Sequence, residues 1–110
     1  METGALDRIF AALADPARRG MIERLSRGQA TVKELAQPAG MRLPSALKHL
    51  RVLEEGGLVA SRKVGRSRTF AIRPEALALL DDWLSRRKAA HHAAFSRLAD
   101  AMQRIPEDIT

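Results

Sequence analysis

A chain of 110 residues with a formal net charge of +6 and no cysteine is the length of one domain and has no disulfide, thiolate metal site or cysteine nucleophile. No apolar run approaches the roughly 18 residues of a membrane span, and Met1 to Ala5 show no basic region leading into an apolar core, so no signal peptide is expected. These absences fit a soluble, cytoplasmic protein. The charge is concentrated: residues 16–73 hold 13 basic and 4 acidic side chains, between near-neutral ends. That distribution fits either a well-solvated surface or a footprint for a polyanion.

The elements follow in chain order. Leu6, Ile9, Phe10 and Leu13 recur at i, i+3, i+4 and i+7, one apolar face of a first helix. Asp15-Pro16 ends it and starts a second, because Asp caps helix N-termini and Pro fits the first helical position. That helix turns Met21, Ile22 and Leu25 inward and stops near Gly28. Thr31-Val32-Lys33-Glu34 reads as a capping box. It opens a short third helix, which Pro38 should end near Gln37. Gly40 makes a turn.

A fourth helix runs from about 43 to 55, with Pro44 in its first turn and Gly56-Gly57 as its stop. The period then changes. Leu58 to Val64 and Ser67 to Ile72 read as the strands of a hairpin turning at Gly65-Arg66, with Phe70 and Ile72 on one face and Leu58, Ala60 and Val64 sharing another. Arg73-Pro74 opens a last helix to about Gln103, roughly 45 Å long at about 1.5 Å per residue. Leu77, Leu84, His91, Leu98 and Ile105 recur every seven residues, with Leu80, Phe95 and Met102 beside them. Such a seam on a helix that outruns its domain calls for a partner helix, although folding back on its own core would also cover part of it. Pro106 is expected to end it.

Short helix, tight turn, second helix and basic hairpin form the order of a winged helix-turn-helix, a mainly α fold with a small β-hairpin, spanning residues 1–110 as one domain. A major groove admits one α-helix, which the preceding helix braces across the backbone. On the fourth helix Ala46, Leu50 and Leu53 form the inward face, while Pro44, Leu47, Lys48 and Arg51 point outward. Ser45, Leu47 and Lys48 are therefore expected at base edges, Lys48 on guanine and Leu47 on a thymine methyl, with Arg51 nearer the backbone. His49 lies on the flank, packing or touching the DNA backbone. The hairpin holds Arg62, Lys63, Arg66 and Arg68 with no acidic residue from Leu58 to Ile72, a density that suits phosphate but also guards an edge strand. Arg18 and Arg19 oppose the dipole of their own helix, which hints at a role outside it.

Three segments carry a family resemblance: Leu13-Ala14-Asp15-Pro16-Ala17-Arg18-Arg19, Thr31-Val32-Lys33-Glu34-Leu35-Ala36, and the run from Leu43 through Pro44-Ser45-Ala46-Leu47-Lys48-His49-Leu50 to Val59. Over roughly residues 6–85 the chain resembles the ArsR-type bacterial repressors. The resemblance implies a dimeric winged-helix repressor on an inverted-repeat operator, with the first and last helices forming the dimer interface. Leu6, Ile9, Phe10, Leu77, Leu80, Trp83, Leu84, His91, Phe95, Leu98 and Met102 are the expected dimer contacts.

The chain departs from the family in three places. Arg42 stands where many members cap the recognition helix with Ser or Thr; it cannot accept N–H groups but could reach a phosphate. The segment Thr31 to Gln37 lacks the cysteines of the arsenic and cadmium sensors. Asp81, Asp82, His91 and His92 lack the spacing of the family's zinc set. A metal-responsive repressor using His91, His92 and carboxylates, and a winged-helix protein-interaction module, are the alternatives to a DNA-binding repressor. No cofactor is expected, no effector is identified, and no phosphate loop or ligand spacing suggests an enzyme.

Overall fold

Local capping chemistry sets most of the helix boundaries. The computed structural model describes residues 4–104. Helix α1 (Gly4–Ala12) is followed by α2 (Pro16–Leu25), whose N-cap Asp15 accepts the N–H of Arg18 at 3.1 Å with Pro16 in the first turn. After β1 (Ala30–Thr31), the capping box opens α3 (Val32–Ala36). The Glu34 N–H donates to Thr31 Oγ1 at 3.2 Å, and the Thr31 N–H donates to Glu34 Oε1 at 2.9 Å. Gly40 supplies the positive-φ turn, at +61°, into α4 (Leu43–Glu55).

Helix α4 ends in a Schellman motif. The Leu58 N–H reaches the Leu53 carbonyl at 3.0 Å and the Gly57 N–H reaches Glu54 at 3.0 Å, with Gly57 at φ +80°. Leu53 and Leu58 are both fully buried, the apolar contact that accompanies this motif. Leu58 thus belongs to the helix stop, and strand alternation starts one residue later. This corrects the expected face of Leu58, Ala60 and Val64: Val59 is buried, whereas Ala60 and Val64 are exposed.

Strands β2 (Val59–Val64) and β3 (Ser67–Ile72) form the hairpin. Gly65, at φ +62°, takes the first turn position and Arg66, at negative φ, the second, the arrangement of a II′-type turn. Beyond the expected hairpin, β1 pairs antiparallel with β3, Ala30 opposite Phe70, giving the sheet order β1-β3-β2. Two residues are too few for a periodic signal, so this strand was not visible in the sequence. Helix α5 (Pro74–Gln103) follows. Ile105 and Pro106 lie outside the described residues.

The chain contacts form two compact units, Met1–Ala78 and Leu79–Thr110. Among the described residues, all the buried apolar side chains lie in the first. Leu50, Leu53, Leu58 and Val59 form its centre, with Ile9, Met21, Leu25, Leu35 and Phe70 around them. Ile22, expected inward, is only half-buried. Ile9, expected at a dimer interface, is 2 % exposed: it points into its own core, so helix periodicity placed it correctly on an apolar face but not on a partner.

Candidate nucleic-acid interface

Helix α4 is anchored from behind. Ala46, Leu50 and Leu53 of α4 are buried, and Ser45, Leu47, Lys48 and Arg51 are exposed on its other side. The N-cap residue Arg42 makes no side-chain cap bond, as its chemistry requires, and its side chain is exposed.

His49 faces elsewhere. Its Nδ1 lies 3.4 Å from Arg18 Nη1 and 3.8 Å from Asp15 Oδ2. Because a guanidinium only donates, His49 Nδ1 accepts in the first contact. The His49 ring is thus turned to the start of α2, and its expected place among the DNA-contacting residues is corrected to a junction between helices. Arg18 Nε also donates to the Ala12 carbonyl at 2.6 Å, and Arg19 Nη1 to the Leu13 carbonyl at 2.7 Å. Both cations therefore serve the C-terminal carbonyls of α1, where positive charge is favourable, which explains why they stand at the unfavourable end of α2. The Asp15 carboxyl is held below its ordinary range, chiefly by the Arg18 N–H, with the Arg18 charge adding to it. Glu34 is lowered first by the Thr31 N–H and then by the Thr31 hydroxyl.

The hairpin presents its cations on two faces. Lys63 and Arg68 stand directly opposite each other in the register, and Arg62 opposite Thr69. Lys63, Arg62 and Arg66 are exposed. Arg68 is partly committed: its Nη1 donates to Ser61 Oγ at 2.9 Å, and the Ser61 hydroxyl donates to Glu54 Oε2 at 3.0 Å. This relay ties the wing to the last turn of α4. Like charges opposite one another destabilise a hairpin, so the Lys63–Arg68 pair is best relieved by an external anion.

Between α3, α4 and the wing lies an open cleft of about 400 Å³, lined by Thr31, Val32, Lys33, Leu43, Leu47, Arg66, Ser67 and Arg68. It joins residues from three separate segments. The sequence reading missed Lys33 and Leu43 here; their only signal was position, each within the first turn of its helix.

In the second unit, α5 is amphipathic along an exposed surface. Leu84, Phe95, Leu98 and Met102 are exposed, His91 stacks on Phe95 with ring centroids 5.9 Å apart, and the Arg87 guanidinium lies 5.3 Å from the Trp83 ring centroid. Among the described residues no three His, Asp or Glu side chains come together as metal ligands. No described helix is long and apolar enough to cross a membrane.

A helix-turn-helix with an outward polar helix face and a cationic hairpin defines the winged helix-turn-helix class of DNA-binding domains. The helix-turn-helix domain family matches residues 13–62. A solved ArsR family transcriptional regulator is 46% identical, with a TM-score of 0.74 over 80% of this chain and 97% of that one. The probable mercury resistance operon repressor of Streptomyces lividans is 34% identical over 90% of this chain and 76% of its own length. The homodimeric winged helix-turn-helix DNA-binding domain Mb0332 of Mycobacterium bovis is 30% identical, with a TM-score of 0.65 over 79% and 81% of the two chains. The chain belongs to the ArsR family of DNA-binding transcriptional regulators.

Proposed function

We propose that this chain is a homodimeric repressor that binds an inverted-repeat operator, with residues 1–110 acting as one winged helix-turn-helix domain. The observation that carries this reading is the exposed face of α4, with Ser45, Leu47 and Lys48 near its N-terminal end and Arg51 one turn further on, beside a hairpin whose Arg62, Lys63 and Arg66 are exposed and unopposed by any acid between Leu58 and Ile72. Lys48 suits guanine O6 and N7, and the wing cations suit phosphates. Arg42, exposed and without a side-chain cap bond, suits a backbone phosphate.

Dimerisation supplies the second half-site. The apolar seam of α5, with Leu77, Leu84, Leu98 and Met102 exposed, is left open to water within one chain, and a second α5 is the partner that suits a seven-residue repeat. Leu80 and Trp83 lie on the same helix. On α1, Phe10 is exposed and Leu6 is half-buried, adding a second strip for the partner. A two-fold dimer reads half-sites about 34 Å apart, one helical turn of DNA. Occupying a promoter site of that kind blocks transcription, and it does so wherever the genome is held, the cytoplasm of a bacterial cell. Mercury in the relative's name belongs to that relative; this chain has no cysteine, so a thiolate site for a soft metal is not built from its side chains.

Selection from a random duplex library with the purified protein, at a stated salt concentration, tests the proposal. Enrichment of an inverted repeat supports it. Weak, salt-sensitive binding with no enriched sequence would contradict it and favour the interaction-module reading.

A further inference from the structure

Two leucines stand on the outer side of α4, on a surface otherwise built for a polyanion. Leu43 is 46% exposed and Leu47 45% exposed. They are one helical turn apart, so their side chains are neighbours. Together with Val32 they line the cleft whose remaining walls include Lys33, Arg66 and Arg68. Neither is required by the core, which α4 fills with Ala46, Leu50 and Leu53.

An apolar pair inside a cationic rim gains from leaving water only against a surface that is itself apolar and lies among anions. Duplex DNA offers one such group in its major groove, the C5-methyl of thymine. Resting on the reading that α4 enters that groove, we infer that Leu43 and Leu47 are specificity-determining residues that read a pair of thymine methyls in each half-site. Lys33 and Arg66 hold the flanking phosphates. Four residues of helix advance about 6 Å, and successive bases about 3.4 Å, so the two thymines lie one or two base steps apart. Lys48, on the next position round the helix, is left to fix the neighbouring guanine.

The test replaces each thymine of the enriched duplex, one at a time, by deoxyuridine, which keeps the base pair and removes only the methyl. Binding is measured for the full-length protein and for Leu43→Ala and Leu47→Ala. We expect two positions in each half-site to weaken binding about fourfold each, and about fifteenfold together. Each leucine variant, its fold checked by circular dichroism, should bind thymine and uracil equally at one of those positions. If the enriched duplex binds specifically but every uracil substitution stays within about twofold, or if both variants keep the discrimination, the leucines do not read methyls and the operator proposal stands without them. If no duplex is enriched, the operator proposal fails and this inference fails with it.

Discussion

The guanidinium of Arg18 stands 3.4 Å from Nδ1 of His49 and at the same time donates to the Ala12 carbonyl at 2.6 Å. One side chain at the start of α2 therefore joins the end of α1 to the flank of α4. Asp15, 3.8 Å from the same ring, completes the junction. The flank of α4 is thus joined to α2 by one hydrogen bond and one longer contact, while its buried face packs into the core.

Arg18→Ala removes the bond to Ala12 and the interaction with His49 together. We expect destabilisation by about 1–2 kcal/mol, the scale of hydrogen bonds to a charged group at a part-buried site. Urea denaturation reads it as a lower midpoint at unchanged slope. An unchanged midpoint would show that the junction contributes nothing.

The same chemical change at two glycines should have opposite signs. A Cβ on Gly56 would lie 3.1 Å from Ala12 Cβ and 3.2 Å from the carbonyls of Arg8 and Val52, whereas one on Gly20 meets nothing within 4 Å. Gly56→Ala forces α1 away from the end of α4, and we expect it to destabilise by about 1–2 kcal/mol. Gly20→Ala lies inside α2 at an ordinary helical conformation and should stabilise by about 0.5–1 kcal/mol. Thermal midpoints of the two variants check both signs.

Acid should loosen the helix caps. The folded carboxyls of Asp15 and Glu34 both lie below their ordinary values, held there first by backbone N–H groups. A lowered folded pKa means that the unfolded chain binds the proton more readily, so this contribution is complete above the unfolded value of about 4 and is lost as pH falls through the folded one. Asp15→Asn keeps a good N-cap without a titrating group. Its stability should stay close to that of the parent at pH 7 and fall less steeply between pH 5 and 3. Parallel denaturation curves for the two proteins across that range would count against the assignment.

The wing cations are exposed and should act on binding alone. Replacing Arg62, Lys63 and Arg66 by Ala, singly, should leave the unfolding free energy within about 0.5 kcal/mol of the parent. Each replacement should reduce the slope of log affinity against log salt by about 0.9 for every phosphate it ceases to neutralise. Arg68 should behave differently, because Ser61 and Glu54 hold it. Ser61→Ala ought to weaken DNA binding without removing a charge.

The seam of α5 predicts the oligomeric state. Leu84→Glu or Leu98→Glu places a carboxylate on an apolar strip that the described chain leaves exposed. Sedimentation equilibrium should then show a monomer where the parent protein is a dimer, with the operator bound only as single half-sites. A parent protein that is itself monomeric at micromolar concentration would remove the basis for an inverted repeat.

Much of this architecture was legible in the sequence because punctuation residues act locally. Asp15-Pro16, the Thr31–Glu34 box and Gly56-Gly57 need only their neighbours, and the limits of α4 follow from the last pair together with Pro44. What was hidden depends on chain closure. Ile9 and Phe10 look alike on a helical wheel, yet only the packed chain shows that the first turns inward. Arg18 and Arg19 read as anomalous cations until the end of α1 is placed beside them. The strand phase after Gly57 shifted by one residue because Leu58 completes a helix stop instead of opening a strand. Lys33 and Leu43 joined the candidate interface only when three segments met in one cleft.

The most direct test of the central claim is a mobility shift on the selected operator at fixed salt, challenged with an unlabelled duplex of identical composition and scrambled order. If α4 reads bases, the intact operator displaces the complex and the scrambled duplex does not, and Lys48→Ala narrows the gap between them. Equal displacement by both duplexes would mean that the basic surface binds DNA by charge alone, contradicting sequence-specific recognition by this helix.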